Sequence, residues 1–465
     1  MNFVEARFPF FFLAVFLLHW ALRGERSRKR LLLVASYTFY GAWDARFLAL
    51  IVFSTLVDYA AGLGIADARS TRKRRAWLAL SLCVNLGVLG AFKYADFFIE
   101  SARALAQRLG LEAYGLAPGS GTLDWLLPVG ISFYTFQTLS YSIDVYRGKL
   151  RATRNLLDLA LFVGFFPQLV AGPIVRAADF LPQLRTPRRF GNVAVRAALW
   201  LFLIGYFKKA CVADNAARVV DAVFAAPEQF TLASRALGAA LYAVQIYGDF
   251  SGYSDMAIAC AALLGYALPE NFRAPYLATS ITDFWRRWHI SLSTWFRDYL
   301  YIPLGGNRAG RGRTARNLLI VFLLCGLWHG AKWTFVIWGL WHGLFLILER
   351  SGAGRLLHVL PSPARRLYAL LVVLLGWVLF RADDLSSAWS LLSQPGGEQT
   401  VAAASAWSLV IVVLFLAQLG AAGGALQARL DRLRNERFAL CYGFAVALVL
   451  SLISLDHQAF IYFVF

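Results

Sequence analysis

Apolar runs long enough to enter a lipid bilayer recur along this chain from Phe8 to its C-terminus. That recurrence constrains the fold more than any other feature. A segment in hydrocarbon must satisfy its backbone polar groups internally, so it is a helix or part of a closed barrel. Barrel strands alternate apolar and polar residues, whereas these runs are continuous. The chain is therefore expected to be all-α and polytopic. A crossing takes about 20 residues, and the run pattern predicts about 11 transmembrane helices with re-entrant and interfacial helices beside them. Only 16% of residues are charged and 59% are apolar, against roughly 25% charged in a soluble domain. A secreted, disordered or cytosolic globular protein is excluded. No stretch resembles a separate soluble domain, so residues 1–465 read as one membrane-embedded domain.

The formal net charge is +19. The bases sit in short clusters between apolar runs, where they set orientation in a membrane. The expected partner is therefore the lipid bilayer, and no nucleic acid is expected. Residues 8–22 do not read as a signal peptide, because the strong cluster RGERSRKR (23–30) follows the run instead of preceding it. This cluster and RSTRKRR (69–75) are placed in the cytoplasm. Residues 31–43 and 47–66 then form a hairpin, 77–98 goes out, 99–122 lies outside and 123–145 returns.

The run 156–175 has basic clusters on both sides and is interrupted by Pro167, Gly172 and Pro173. One crossing cannot satisfy both clusters, so a re-entrant segment is expected; such breaks are tolerated where protein surrounds them. Further spans are expected at 193–213, 232–247 and 252–268. The 32-residue run 317–348 is too short for two full crossings, so it is a short hairpin or a re-entrant element. Residues 367–380 go out, 383–400 lie outside, 401–420 return and 438–455 go out again.

None of Cys83, Cys211, Cys260, Cys325 and Cys441 forms a CxxC pair, and all lie in or beside apolar stretches. They read as buried structural thiols, with no metal site or disulfide framework.

The pentapeptide GLWHG occurs twice inside 317–348, at 326–330 and at 339–343. It places His329 and His342 at membrane depth, where ionisable side chains are expensive and point to function. Lys332 lies between them. On one unbroken helix the two histidines would be about 20 Å and about 220° apart. They would face nearly opposite sides and meet only if the run breaks. Neither has His-x-x-x-His spacing, so no zinc site is expected.

The stretch TDFWRRWHISLSTWFRDYLYIPLGG (282–306) repeats Phe284, Trp288, Leu292, Trp295, Phe296 and Tyr299 at helical spacing. It reads as one amphipathic helix in the interface, with arginines toward phosphates. It is either an anchor or an entrance for a phosphate-bearing ligand lined by His289 and the arginines. In YGDFSGYSDMA (247–257), Asp249 and Asp255 lie between two expected spans. Capping a helix break is favoured there over proton handling.

Together these segments resemble the membrane-bound O-acyltransferase family, nearest its bacterial alginate O-acetyltransferase branch. The resemblance rests on PVGISFYTFQTLSYSIDVYRG (128–148), FPQLVAGPIVR (166–176), YGDFSGYSDMA (247–257), NFRAPYLATSITDFWRRWHISLSTWFRDYLYIPLGGNR (271–308) and GLWHGAKWTFVIWG (326–339). The branch commonly ends in a phrase with Gln where Val464 stands.

The resemblance implies an integral acyltransferase with helices around a central tunnel. It maps the family histidine onto His329, because the Ala-x-Trp-Thr continuation follows the first pentapeptide only. The second family histidine maps onto His289. Acyl transfer from a thioester to a hydroxyl needs a base, and a buried neutral imidazole serves. The implied donor is acetyl-CoA, its phosphates near Arg286, Arg287 and Arg297. The implied acceptor is an exported polysaccharide, reached through a periplasmic acyltransferase partner, and the implied location is the bacterial inner membrane. Two alternatives stand beside this reading. One is a transporter or flippase built on the broken segments. The other, within the family, is D-alanyl transfer to teichoic acid.

Overall fold

The computed structural model describes residues 1–110, 123, 125–308, 310–402, 406–410, 413, 433–454 and 460–461. Among these the regular structure is helical, apart from one isolated bridge between Phe230 and Gln399. The all-α expectation therefore holds. The chain forms two compact units, one of Glu5–Asn192 with Met1, the other of Val193–Phe465 with Asn2–Val4.

The first unit opens with α1 (Arg7–Ala21), α2 (Glu25–Asp44) and α3 (Leu48–Asp67). Asp44 separates α2 from α3: its backbone is extended and its carboxylate accepts the Arg46 N–H at 2.9 Å. The break lies where the hairpin between 31–43 and 47–66 was expected. Helix α4 (Thr71–Leu89) is capped by the Ser70 hydroxyl. It continues through a widened turn at 90–94 into α5 (Ala95–Arg108). Helix α6 (Ile131–Tyr146) is buried almost throughout despite its polar residues. One of these, Ser142, donates to Asp58 of α3 at 2.8 Å, and Asn85 of α4 donates to the same carboxylate at 3.0 Å.

Helix α7 (Leu156–Gly164) starts on an Asn155 cap. Nine residues rise about 14 Å, less than half a bilayer core of about 30 Å. Phe165 breaks it ahead of Pro167, and the one-turn α8 (Phe166–Leu169) and the buried stretch to Val175 follow. The unit ends with α9 (Ala177–Leu184).

The second unit begins with α10 (Val195–Tyr206), a widened turn at 207–213 and α11 (Asp214–Ala225). Helix α12 (Leu232–Leu263) corrects one expectation. The spans 232–247 and 252–268 are one continuous helix to residue 263, and Asp249 and Asp255 lie inside it. They cap nothing. Each pairs with a lysine from the widened turn: Lys209 to Asp249 at 2.7 Å and Lys208 to Asp255 at 2.6 Å. With their charges met, the aspartates need no helix break.

The next two helices are short, α13 (Ile281–Arg287) and α14 (Ile290–Phe296). A helical hairpin follows, α15 (Arg311–His329) and α16 (Trp333–Arg350). The unit closes with α17 (Gly352–Val359), α18 (Ser362–Arg381), α19 (Leu385–Ser393) and α20 (Asn435–Ser451). The run 317–348 is therefore a hairpin, and the basic residues before it belong to its first helix. Most of the expected return span 401–420 lies outside the described residues.

Among the described residues, three helical stretches are by length and composition apolar enough to cross a membrane: Glu25–Asp67, Thr71–Arg108 and Ser362–Arg381. Helix α1 is a shorter apolar helix. This is fewer than the crossings expected from the charge clusters. Helices such as α12, packed within protein, carry ion pairs and polar residues and so fall short of lipid-facing hydropathy. The cysteine reading also needs correction. All five thiols are free, but only Cys211, Cys260 and Cys325 are buried; Cys83 and Cys441 are exposed.

Candidate active site

The site is assembled in the second unit by α13, α14, α15, α16 and α18. Residues 330–332 break the long apolar run and fold α16 back along α15. Each helix presents the first glycine of its pentapeptide at the crossing. A Cβ built on Gly326 would collide with the Phe335 carbonyl, and one on Gly339 with the Phe322 carbonyl. Only glycine lets the two backbones approach this closely.

The close crossing places the histidines. His329 ends α15 and is only 2% exposed. Its ring meets Trp328 at 4.9 Å, Trp338 at 5.0 Å and Phe380 of α18 at 5.2 Å, centroid to centroid. His342 meets the same Trp338 ring, at 5.1 Å. The break between the helices thus brings both histidines onto one indole, which an unbroken helix could not do. Trp285 of α13 meets His342 at 5.2 Å and donates its indole N–H to Nδ1 at 3.3 Å. Lys332 belongs to the hairpin tip instead: it is 48% exposed and lies 3.6 Å from Asp383.

His289 joins the same row, 5.7 Å from Trp328. Here the expectation of one amphipathic helix over 282–306 fails. The helix breaks at Trp288 and His289, and His289 adopts a left-handed backbone with φ 43°. The segment around Asn271 makes this possible. Arg273 N–H donates to the Arg287 carbonyl and Ile290 N–H to the Asn271 carbonyl, both at 2.9 Å. These bonds satisfy backbone groups that the break would leave unmet. The Asn271 side-chain oxygen accepts from the Ser291 hydroxyl at 2.8 Å and lies 3.1 Å from His289 Nδ1. All six aromatic and leucine positions of the expected apolar face are buried. So is His289, which faces other rings instead of a polar surface.

A cavity of about 410 Å3 lies beside the row. Its lining includes Trp285, Arg286, Arg297, Phe322, Cys325 and Arg350. Of the three expected phosphate-binding arginines, Arg286 and Arg297 line it. Arg287 does not; it is held by Asp283 at 2.8 Å. Arg297 hydrogen-bonds Asp298 at 2.7 Å, which raises its pKa above the ordinary guanidinium value. Cys325 lies on α15 one turn before His329, so the cavity-lining stripe of that helix leads toward the histidine.

Three contributors carried no signal in the sequence. Asn271 sits within the NFRAPY phrase, but nothing in its spacing marks it. Glu349 receives the N–H groups of Ile281 and Thr282, the latter at 2.9 Å, and so seats the start of α13 on α16. Arg350 donates to the Tyr301 hydroxyl at 3.0 Å at the cavity. The tryptophans of the two pentapeptides were legible as motif residues only. Trp328 meets the rings of both His289 and His329, whereas Trp341 donates its indole N–H to the Val372 carbonyl at 2.9 Å; both placements depend on the fold. Among the described residues no group of three His, Cys, Asp or Glu side chains is arranged to hold a metal.

Residues 32–387 match the membrane-bound O-acyltransferase family, a span that includes His289 and His329. The chain is 45% identical over 396 residues to the probable alginate O-acetylase AlgI of Azotobacter vinelandii, covering 84% of this chain and 77% of that protein. To the protein of the same name from Pseudomonas aeruginosa it is 46% identical over 397 residues, 84% of this chain and 74% of that one. The peptidoglycan O-acetyltransferase of Helicobacter pylori is 38% identical over 421 residues, with 84% and 78% covered.

Proposed function

The chain belongs to the membrane-bound O-acyltransferase family, and from that premise we propose that it moves acetyl groups from cytoplasmic acetyl-CoA across the bacterial inner membrane to O-acetylate an exported polysaccharide such as alginate. His329 is the base. The observation that carries the reading is the arginine-bearing cavity whose α15 wall leads, one turn on, to His329. Membership of an acyltransferase family also favours this reading over a transporter.

The chemistry follows from the residues. The donor enters with its phosphates toward Arg286, Arg297 and Arg350, and its acyl end toward the apolar wall of Trp285, Phe322 and Cys325. A hydroxyl approaches the thioester carbon, and the His329 imidazole takes its proton as the C–O bond forms and the C–S bond breaks. The proton then passes to the departing thiolate, so the enzyme returns neutral. A positioned base of this kind contributes about 10²–10⁴-fold in rate. His289 acts beside it, its Nδ1 oriented by Asn271.

A polysaccharide strand is too bulky to follow an acyl group through such a passage. The acetyl group is therefore handed at the outer face to a periplasmic acyltransferase that bears its own hydroxyl nucleophile. The polymer receives it from that partner.

The test uses purified full-length chain in liposomes, with labelled acetyl-CoA on the cytoplasmic face and polymer on the other. Slow acetyl-CoA turnover without polymer labelling, converted to polymer labelling by a periplasmic extract, is the expected result. His329→Ala should abolish both while the protein still inserts. Near-normal labelling by His329→Ala would overturn the assignment of the base. Multiple-turnover polymer labelling without extract would remove the partner.

A further inference from the structure

His342 is the histidine that the proposed reaction leaves without work, although it occupies the second copy of the motif that supplies His329. Its surroundings differ from those of a base. Nδ1 accepts the indole N–H of Trp285 at 3.3 Å. An indole nitrogen can only donate, so Nδ1 holds a lone pair in that bond and the ring proton is on Nε2. The lone pair a base would use is therefore already committed. Nε2 faces α18 at Gly376, where an added Cβ would lie only 3.0 Å away. The ring also stacks on Phe284 with an interplanar angle of 9° and meets Trp338 at 5.1 Å. Pinned from four sides, His342 takes part in one directional bond, the one it accepts from Trp285.

Trp285 is the residue that the cavity and the ring row share. It lines the cavity. Its ring packs on Phe322 at 5.1 Å and on Trp338 at 5.8 Å, and Trp338 is the ring that touches His329. The cavity lining reaches Cys325 but does not include His329. Ring contacts run from the cavity through Trp285 and Trp338 to His329.

We propose that His342 is a positioning residue: by accepting the indole N–H of Trp285 it holds that ring as the wall between the arginine-bearing cavity and His329. The wall limits the acyl group that can advance toward the base. This rests on the reading that the cavity takes the thioester donor. A group with one or two more methylenes than acetyl meets the ring, and differences of this size are worth about 10–200-fold in discrimination.

The experiment measures turnover of acetyl-CoA and butyryl-CoA by the purified full-length chain in lipid nanodiscs, and reads the ratio of the two rates. His342→Phe keeps a ring in place but cannot accept the indole N–H. His342→Gln restores an acceptor oxygen. The butyryl-to-acetyl ratio should rise about tenfold in His342→Phe and return close to the wild-type ratio in His342→Gln. Trp285→Phe removes the same bond from the other side and should shift the ratio in the same direction, with no further shift in the double variant. A ratio unchanged in both His342→Phe and Trp285→Phe would overturn the proposal. So would a His342→Gln variant that behaves like His342→Phe, or additive shifts in the double variant. Failure of the donor reading looks different: wild-type protein would then turn over neither thioester.

Discussion

Gly326 and Gly339, the first residues of the two GLWHG phrases, lie backbone to backbone across the α15–α16 hairpin, and the Cβ that each lacks would run into main chain of the opposite helix, at the Phe335 carbonyl and the Phe322 carbonyl respectively. The repeat is thus, first of all, a packing device. It draws the two helices together so that Trp338 meets both His329 and His342.

The first prediction follows from that contact. Gly326→Ala and Gly339→Ala each drive a methyl into a main-chain carbonyl, which cannot move aside as a side-chain tip would. Overpacking of this kind costs about 1–3 kcal/mol. Gly87, with nothing within 4 Å of its Cβ position, is the control. Thermal unfolding in detergent should show a lower midpoint for the two hairpin variants and a near-unchanged one for Gly87→Ala. Equal midpoints would mean the crossing is looser than its geometry.

A second prediction separates the arginines. Arg286, Arg297 and Arg350 line the cavity, whereas Arg287 is committed to Asp283 and lies outside the lining. Hydrogen bonds to a charged group are worth about 1.5–3 kcal/mol, on the order of tenfold or more in affinity. Replacing Arg286, Arg297 or Arg350 by Gln should therefore raise the KM for acetyl-CoA several-fold and leave kcat close to wild type, the pattern of lost uniform binding. Arg287→Gln should change KM less than any of the three. A larger effect at Arg287 would move the phosphate site off this cavity.

The third concerns the ion pairs that replaced the expected helix break. Lys209 is held between Asp214 at 2.6 Å and Asp249 at 2.7 Å, all three buried. Lys208 and Asp255 are each about one-fifth exposed. Removing one partner of a buried pair costs about 3–5 kcal/mol, because the other charge stays behind. Lys209→Met strands two carboxylates and should abolish accumulation or sharply lower the unfolding midpoint. Lys208→Met should be milder. A Lys209→Met protein as stable as Lys208→Met would show that water or a rearranged partner reaches the site.

Much of this is legible in the sequence. Continuous apolar runs meant helices, the basic clusters 23–30 and 69–75 flagged the turns that lead into α2 and α4, and Pro167 with Gly172 announced the broken segment after α7. What could not be read was set by tertiary partners. Asp249 and Asp255 looked like a helix boundary because a carboxylate in an apolar run is costly. Lys208 and Lys209 remove that cost from a different helix. His289 fell inside an unbroken helical pattern, yet the helix breaks there because Asn271, 18 residues earlier, offers the backbone and side-chain bonds that a left-handed turn requires. The 13-residue spacing of His329 and His342 placed them on opposite faces of a single helix. Three residues of turn, 330–332, cancel that argument. Periodicity describes one element at a time, and this site is made where elements meet.

The last prediction tests Asn271, the residue that no motif singled out. Its side chain is buried, and its oxygen is identified by what it meets: the Ser291 backbone N–H, at 3.3 Å, can only donate. The amide nitrogen donates in turn to the Ser254 hydroxyl at 3.2 Å. Because the oxygen has no proton to give, the His289 Nδ1 beside it carries the hydrogen, and Nε2 is left as the accepting nitrogen of that ring. A partner of this kind fixes both tautomer and orientation. Asn271→Ala should therefore lower kcat for acetyl transfer by about tenfold, a part of the ~10²–10⁴-fold that a positioned acid or base contributes, while the KM for acetyl-CoA moves far less. Ser291→Ala keeps the amide in place and loses only one of its donors, so its kcat should stay within a few-fold of wild type. Wild-type kcat in a well-folded Asn271→Ala protein would show that the tautomer of His289 is immaterial to the reaction, and with it the place of His289 beside the base.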